Sequence, residues 1–201
     1  MDINIFFQIA ILIVSVMAHE VAHGAAAYYF GDNTAKNEGR LTLNPLKHID
    51  IVGSIIVPLI LILTHAGILL GWAKPVPYNP YNLRNRRLGE FCVSIAGIAT
   101  NFLIAIVFAV VLHFGVSLGL SEPATFLVAY IIFLNILLGV FNLIPVPPLD
   151  GSKILFTLIP YRFEHYLAVL EKYGFYFLII FIIFFSWIIS DIVSFLFNLL
   201  V

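Results

Sequence analysis

His19-Glu20-Val21-Ala22-His23 sets two imidazoles four residues apart, with a carboxylate beside the first. On an α-helix that spacing stacks the rings one turn apart on one face, which makes a chelating pair for a divalent metal. Glu20 is then placed to accept a proton from a metal-activated water and to deliver it to a leaving amine. A pair of hydrogen-bonded core histidines is the structural alternative for the same spacing. It is disfavoured because three ionisable side chains fall within five residues of an otherwise apolar run, 3–30, and ionisable groups in such runs face a cavity or a partner.

A catalytic zinc typically takes about three protein ligands and keeps a fourth position for water. Two histidines leave it one short. Asp150 is the candidate for the third, in Asn142-Leu143-Ile144-Pro145-Val146-Pro147-Pro148-Leu149-Asp150-Gly151, where prolines unwind the backbone directly after an apolar span. An acid at that depth needs a partner. The same aspartate also suits the N-cap of a helix beginning at Gly151. One carboxylate oxygen on metal and the other on backbone donors would satisfy both roles.

The elements that must bring these residues together are membrane spans. Of 201 residues, 62% are hydrophobic and 10% charged, and the mean hydropathy is +1.06, outside the range of soluble domains. The lipid bilayer is the expected surrounding, and a net charge of -1 gives no basis for a nucleic-acid partner. A single cysteine, Cys92, excludes an intrachain disulfide and a cysteine-built metal site. Four stretches, 3–30, 89–118, 125–143 and 173–201, reach the ~20 apolar residues that a crossing needs. The first has no basic leader and carries the two histidines, so it reads as a span rather than a cleaved targeting segment. A fifth stretch, 51–72, is interrupted by Gly53, Pro58, the Thr64-His65-Ala66-Gly67 cluster and Gly71.

The basic residues decide how the fifth stretch is threaded, because cytoplasmic loops are enriched in Lys and Arg. Lys36, Arg40 and Lys47 precede it; Lys74, Arg84, Arg86 and Arg87 follow it; Lys153, Arg162 and Lys172 lie between the last two spans. All ten share one side if 51–72 dips in and returns, and they divide if it spans. A re-entrant segment also brings the exits of the His19 span and of the span before Asp150 to one face, whereas a crossing would separate them by about 30 Å. The expected fold is an all-α polytopic membrane protein with four spans, a re-entrant or broken 51–72, an outside N-terminus, and one membrane-embedded domain over 1–201. Two short elements complete it. Glu38-Gly39-Arg40-Leu41-Thr42-Leu43-Asn44-Pro45 alternates between Gly and Pro and predicts a strand or small hairpin. Lys74-Pro75-Val76-Pro77-Tyr78-Asn79-Pro80, with three prolines, predicts an edge or loop. Either segment could hold an unwound substrate by strand addition. His65 is expected to cap the break in the re-entrant segment.

These motifs together resemble the site-2 protease family of intramembrane zinc metalloproteases. The likeness covers nearly the whole chain. It rests on His-Glu-x-x-His inside a span and on the distal Asn142…Pro145-x-Pro147-x-Leu149-Asp150-Gly151; Gly39-Arg40-Leu41-Thr42-Leu43-Asn44-Pro45 and Gly71-Trp72-Ala73-Lys74-Pro75-Val76 are similar to stretches of compact bacterial and archaeal members. The resemblance implies one zinc ion per chain held by His19, His23 and Asp150, with Glu20 activating water. It implies substrates that are membrane-spanning proteins, often regulatory ones such as transcription-factor precursors or anti-sigma factors. It also implies a multi-pass protein of the cell membrane whose site is reached from the cytoplasm. Gly97-x-x-x-Asn101 is similar to the family's Gly-Pro-x-x-Asn pattern, with Ile98 where the family has proline. On that likeness Asn101 and Asn142 donate hydrogen bonds to the scissile carbonyl oxygen. Interhelical hydrogen bonding is the structural alternative for both. Without an inserted peptide-binding domain or a nucleotide-sensing domain, the chain reads as a minimal member. The competing function is an inactive scaffold or a transporter whose broken segments line a path, for which Glu20 would have no chemical use. The oligomeric state is left open.

Overall fold

The computed structural model describes residues 5–48, 50–64, 74–160 and 163–201. Helix α1 (Ile5–Tyr29) is followed by the single turn α2 (Thr34–Asn37), a π-helical run (Ile51–Ile56) leading into α3 (Val57–Leu63), and the long α4 (Arg86–Ser117). Helices α5 (Glu122–Asn142), α6 (Asp150–Leu158) and α7 (Glu164–Leu200) complete the chain, with short 3-10 turns at Pro45–Lys47 and Pro80–Asn82. Four helices, α1, α4, α5 and α7, are long and apolar enough to cross a membrane, as the four apolar stretches predict. Their outer faces carry large apolar side chains. In α7 only 11% of the most apolar stretch is buried, and Phe175, Ile183, Phe184, Trp187 and Phe195 stand exposed. A surface of that kind is far beyond what a water-soluble monomer tolerates and is ordinary against lipid. The protein is an integral membrane protein.

Helix α4 is the hub, packing against α1, α5 and α6, while α5 also packs against α7. The seam between α4, α5 and α7 is made by Ala105, Ala109 and Leu112, by Val128, Ile132, Ile136 and Val140, and by Val193. Lipid tails are as apolar as these side chains, so close packing rather than escape from water holds the seam, and the two alanines of α4 let the helices approach. Beyond α5, Pro145, Pro147 and Pro148 deny the chain the donors to continue as helix. The chain turns back and starts α6 at Asp150. A side chain at Gly151 would run into the carbonyls of Leu143 and Ile144, so glycine there is what lets α6 begin tucked under the end of α5.

The fifth apolar stretch begins and ends at one place. The Lys74 amide donates to the His48 carbonyl at 2.8 Å, and the buried Arg40 guanidinium donates to the carbonyls of Lys47, Lys74 and Pro75. A single crossing would put residues 48 and 74 about 30 Å apart; their contact means that the chain leaves and returns on one side. Residues 65–73, with the capping role expected of His65, lie outside the described residues. On the way in, the Asp50 carboxylate accepts from the Gly53 amide at 2.7 Å and caps the π-helical run.

The expected strand or hairpin over 38–45 is corrected. No strand is present among the described residues. The local reason is that α2 ends in a turn with Gly39 at φ 63°, and the Arg40 amide then bonds back to the Ala35 carbonyl at 2.9 Å. Arg40 is turned inward as the clamp described above, and the alternation of apolar residues that follows has no partner strand. Residues 74–79 are extended and irregular, as the prolines require. Their far end is fixed by Asp32, whose carboxylate accepts from the Asn79 amide at 2.7 Å, the Asn82 side chain at 2.8 Å and the Thr34 hydroxyl at 2.6 Å. Burial acts to raise the Asp32 carboxyl, but these hydrogen bonds outweigh it and hold the group below its ordinary value. The staple therefore contributes fully above the ordinary carboxylate range and is lost only as the pH falls through that lowered value.

Arg40 joins three carbonyls from two separate segments, so its removal leaves all three without their buried donor. Arg40→Met should destabilise the protein by about 2–4 kcal/mol. The measurement is the midpoint of thermal unfolding in detergent, together with earlier proteolytic cutting between residues 48 and 74; an unchanged midpoint and digestion pattern would contradict the clamp.

Candidate metal centre

Val93, Gly97 and Asn101 lie one turn apart along the face of α4 that meets α1. Each meets the histidine pair. The Val93 carbonyl accepts from His23 Nδ1 at 2.6 Å, and Asn101 Oδ1 accepts from His19 Nδ1 at 2.6 Å. Between them a Cβ at Gly97 would lie 2.6 Å from both imidazoles, so only glycine allows α4 to pass this close. Both Nδ1 atoms are thus committed as donors, which leaves the two Nε2 lone pairs bare in the neutral rings. They point at each other and at Asp150.

The three atoms converge tightly. His19 Nε2 and His23 Nε2 each lie 3.0 Å from Asp150 Oδ2 and 2.9 Å from one another, and all three residues are buried. A proton on one nitrogen bridges only one pair of these acceptors. A divalent cation faces all three at once, and a set of two imidazoles and one carboxylate is a donor set that zinc accepts. The residues present therefore fit a metal ion.

Asp150 is the first helical residue of α6, with Leu149 in the capping position. The N-cap role considered for it is corrected: the carboxylate meets the two histidines through Oδ2 and Lys153 Nζ through Oδ1, the latter at 3.4 Å. Glu20, next to His19 on α1, accepts the Val76 amide on Oε2 at 2.8 Å. His19, Glu20, His23, Val76, Asn142 and Asp150 share the wall of a cavity of about 600 Å³. Tyr78 and Lys153 line both this cavity and a neighbouring one of about 330 Å³, whose wall includes Arg86, Arg87, Glu90 and Glu171.

The two asparagines differ. Asn142 stands on the cavity wall with its Nδ2 on the Leu138 carbonyl at 3.0 Å, a bond that uses one of its two N–H groups. Asn101 is fully buried with its oxygen on His19 and its nitrogen on Asn135 Oδ1 at 3.0 Å. Asn101 lines the same cavity, and its amide has a second N–H beyond the one given to Asn135. Strand addition along 74–80 is limited. Pro75 and Pro77 have no N–H, the Val76 and Asn79 amides are taken by Glu20 and Asp32, and the Lys74 and Pro75 carbonyls by Arg40.

Three participants were not singled out from sequence. Asn135 carried a usable signal, a polar side chain in the middle of an apolar span. Lys153 sits one helical turn after Asp150, which is itself a hint. The Val76 amide has no signature of its own, beyond being the one N–H between two prolines.

Comparison with known proteins places the chain. The model of a family described as Peptidase family M50 matches residues 120–186, the stretch that includes α5, the proline loop and Asp150. The chain is 41% identical over 183 residues to the "Putative zinc metalloprotease YwhC" of Bacillus subtilis (strain 168), covering 88% of this chain and 80% of that one. It is 31% identical over 175 residues to the "Putative zinc metalloprotease Rip2" of Mycolicibacterium smegmatis, covering 85% of this chain. A protein of the same name from Mycobacterium tuberculosis (strain ATCC 25618 / H37Rv) is 28% identical over 172 residues. The chain spans 64% and 63% of the lengths of these two. No solved structure matches. With paired histidines and a distant aspartate meeting between apolar helices, and with such a likeness to YwhC along most of both chains, this protein belongs to peptidase family M50, the site-2 protease family of metalloproteases.

Proposed function

We propose that this protein hydrolyses peptide bonds in or near the membrane-spanning segments of other membrane proteins, using one zinc ion held by His19, His23 and Asp150. The observation that carries the reading is the meeting of two bare Nε2 atoms and one carboxylate oxygen within 3.0 Å, with Glu20 alongside and α1, α4 and α6 around them. Bound there, zinc supplies Lewis acidity and makes water a nucleophile near neutral pH. The chain's own residues do the rest. Glu20 takes the proton of the attacking water and returns it to the leaving amine. The Val76 amide holds that carboxylate toward the cavity. Asn142, on the wall of the same cavity, stabilises the carbonyl oxygen as charge develops on it.

Substrate and water reach the site from the end of the bundle where the basic residues gather. Lys153 and Tyr78 stand between the site cavity and a neighbouring cavity with charged walls, which supports a supply of water from that side. Lys36, Lys47, Lys74, Arg84, Arg86 and Arg87 occupy loops and helix ends there, and the positive-inside tendency supports a cytoplasmic opening in the cell membrane. The substrate is a transmembrane protein, held by the walls of the membrane domain.

The test is cleavage of a tagged single-span membrane protein co-reconstituted in liposomes, with zinc content measured on each variant. Glu20→Gln should keep zinc and lose about 10²–10⁴ of the rate. Asp150→Ala should lose both zinc and activity. Cleavage by Glu20→Gln at the wild-type rate would sink the mechanism, and full zinc occupancy in Asp150→Ala would remove that residue from the ligand set.

Gly97 offers a separate check that leaves every ligand in place. Gly97→Ala puts a methyl group against both imidazoles and should weaken zinc binding about tenfold or more, the scale of losses seen when ligand orientation is disturbed. Chelator competition measures it. An affinity equal to wild type would mean that α4 can move away without disturbing the rings.

A further inference from the structure

Three buried amide and imidazole groups form a line from α5 through α4 to α1. Asn135 Nδ2 donates to the Ile131 carbonyl at 2.9 Å and to Ser15 Oγ at 3.0 Å; Asn101 Nδ2 donates to Asn135 Oδ1 at 3.0 Å; His19 Nδ1 donates to Asn101 Oδ1 at 2.6 Å. Asn101 and Asn135 have no exposed surface, and Ser15 is buried with them.

The polarity of this line is set at one end. A main-chain carbonyl can only accept, so the atom of Asn135 facing Ile131 must be the nitrogen. Its oxygen must then face Asn101, which turns the Asn101 nitrogen toward Asn135 and its oxygen toward His19. An oxygen there accepts only if His19 carries its proton on Nδ1, and that frees Nε2 as the lone pair aimed at Asp150 and His23. An amide rotated by 180° at either asparagine would set two donors or two acceptors face to face among buried groups.

We propose that Asn135 is a positioning residue for the metal centre, which acts through Asn101 to hold His19 in the tautomer that presents Nε2 to the metal. The inference rests on the zinc reading given above. Asn135 touches neither the cavity nor the metal ligands. Its effect is transmitted by the orientation of one amide. Deprived of its partner on α5, the Asn101 amide is free to turn its NH2 toward His19, and the imidazole loses the acceptor that keeps its proton on Nδ1. Metal ligands commonly depend on a partner of this kind at the far ring nitrogen. Here that partner is neutral and takes its own orientation from a second helix.

The experiment compares wild type, Asn135→Leu, and the double variant Asn101→Asp with Asn135→Leu, each as the full chain in detergent. Two readouts are taken: zinc affinity by chelator competition, and the Nδ1–H resonance of His19 by NMR on 15N-histidine protein. Leucine matches asparagine in size and removes both polar ends, so Asn135→Leu should weaken zinc about 10–100-fold and shift the strongly deshielded Nδ1–H signal or lose it to exchange. In the double variant a carboxylate at position 101 accepts from Nδ1–H whatever stands at 135, so the signal and most of the affinity should return. A merely structural role for Asn135 predicts no such rescue.

Wild-type affinity and an unchanged Nδ1–H signal in Asn135→Leu would overturn the proposal, and so would a double variant as weak as the single one. Should Asn135→Leu fail to fold, Asn135→Ser reads the same link, because its hydroxyl can bond the Ile131 carbonyl but is too short to reach Asn101. A wild type that binds no zinc would defeat the metal reading instead; the His19 signal, recorded on the same metal-free sample, still decides the relay.

Discussion

Lone pairs that meet in surroundings of low dielectric repel one another with little screening, and three of them meet here at distances of 3.0 Å or less, on His19, His23 and Asp150. The arrangement is tenable because the groups around it account for every other polar atom of the three side chains. The Nδ1 atoms give their protons to Val93 and Asn101, and the second oxygen of Asp150 turns to Lys153. What remains is a concentrated acceptor field in search of a cation. The rest of the fold can be read as the means of holding that field together inside a bundle whose outer faces are apolar.

Packing supplies the closeness that the chemistry needs. Helix α4 must come near enough to α1 for its own carbonyl and an asparagine to reach the imidazoles, and Gly97 leaves out a side chain that would run into both rings. Asp150 arrives from the opposite direction, at the start of a helix that can begin there because prolines end the preceding run and Gly151 lets the backbone fold closely under it. Neither approach is driven by escape from water, since the outer surface is as apolar as the inner seams. Shape and polar pairing carry the specificity instead.

The general-base candidate is governed by a different element. Residues 74–79 are tied at one end to Arg40 and His48 and at the other to Asp32, and the single amide available between Pro75 and Pro77 is spent on Glu20. The position of the Glu20 carboxylate is therefore a property of a loop held at both ends as much as of its own helix. This also explains why the segment makes a poor edge for another strand: its hydrogen-bonding groups are largely in use. The return of the chain from residue 48 to residue 74 is what brings the loop to the site at all.

Much of the centre is legible in the sequence, for local reasons. Helical periodicity alone puts His19 and His23 on one face with Glu20 beside them. Composition alone yields four spans, and the side occupied by the basic residues alone implies that 51–72 begins and ends together. The shortfall of one ligand, with an acid directly after a span, singles out Asp150. Other features depended on rotation and distance between elements far apart in the chain. A strand over 38–45 was read from alternation, but a strand exists only where a partner backbone lies alongside, and the turn at Gly39 with the inward Arg40 leaves none. The partners of Asn101, His19 on one side and Asn135 on the other, follow from the rotation of α4 against α1 and α5. The sequence by itself determined the reactive groups and the solvent they live in, because both follow from side-chain chemistry and short-range periodicity. Only the tertiary structure decided which atom of each group is left free, because that depends on which hydrogen-bonding partner another helix brings to within about 3 Å.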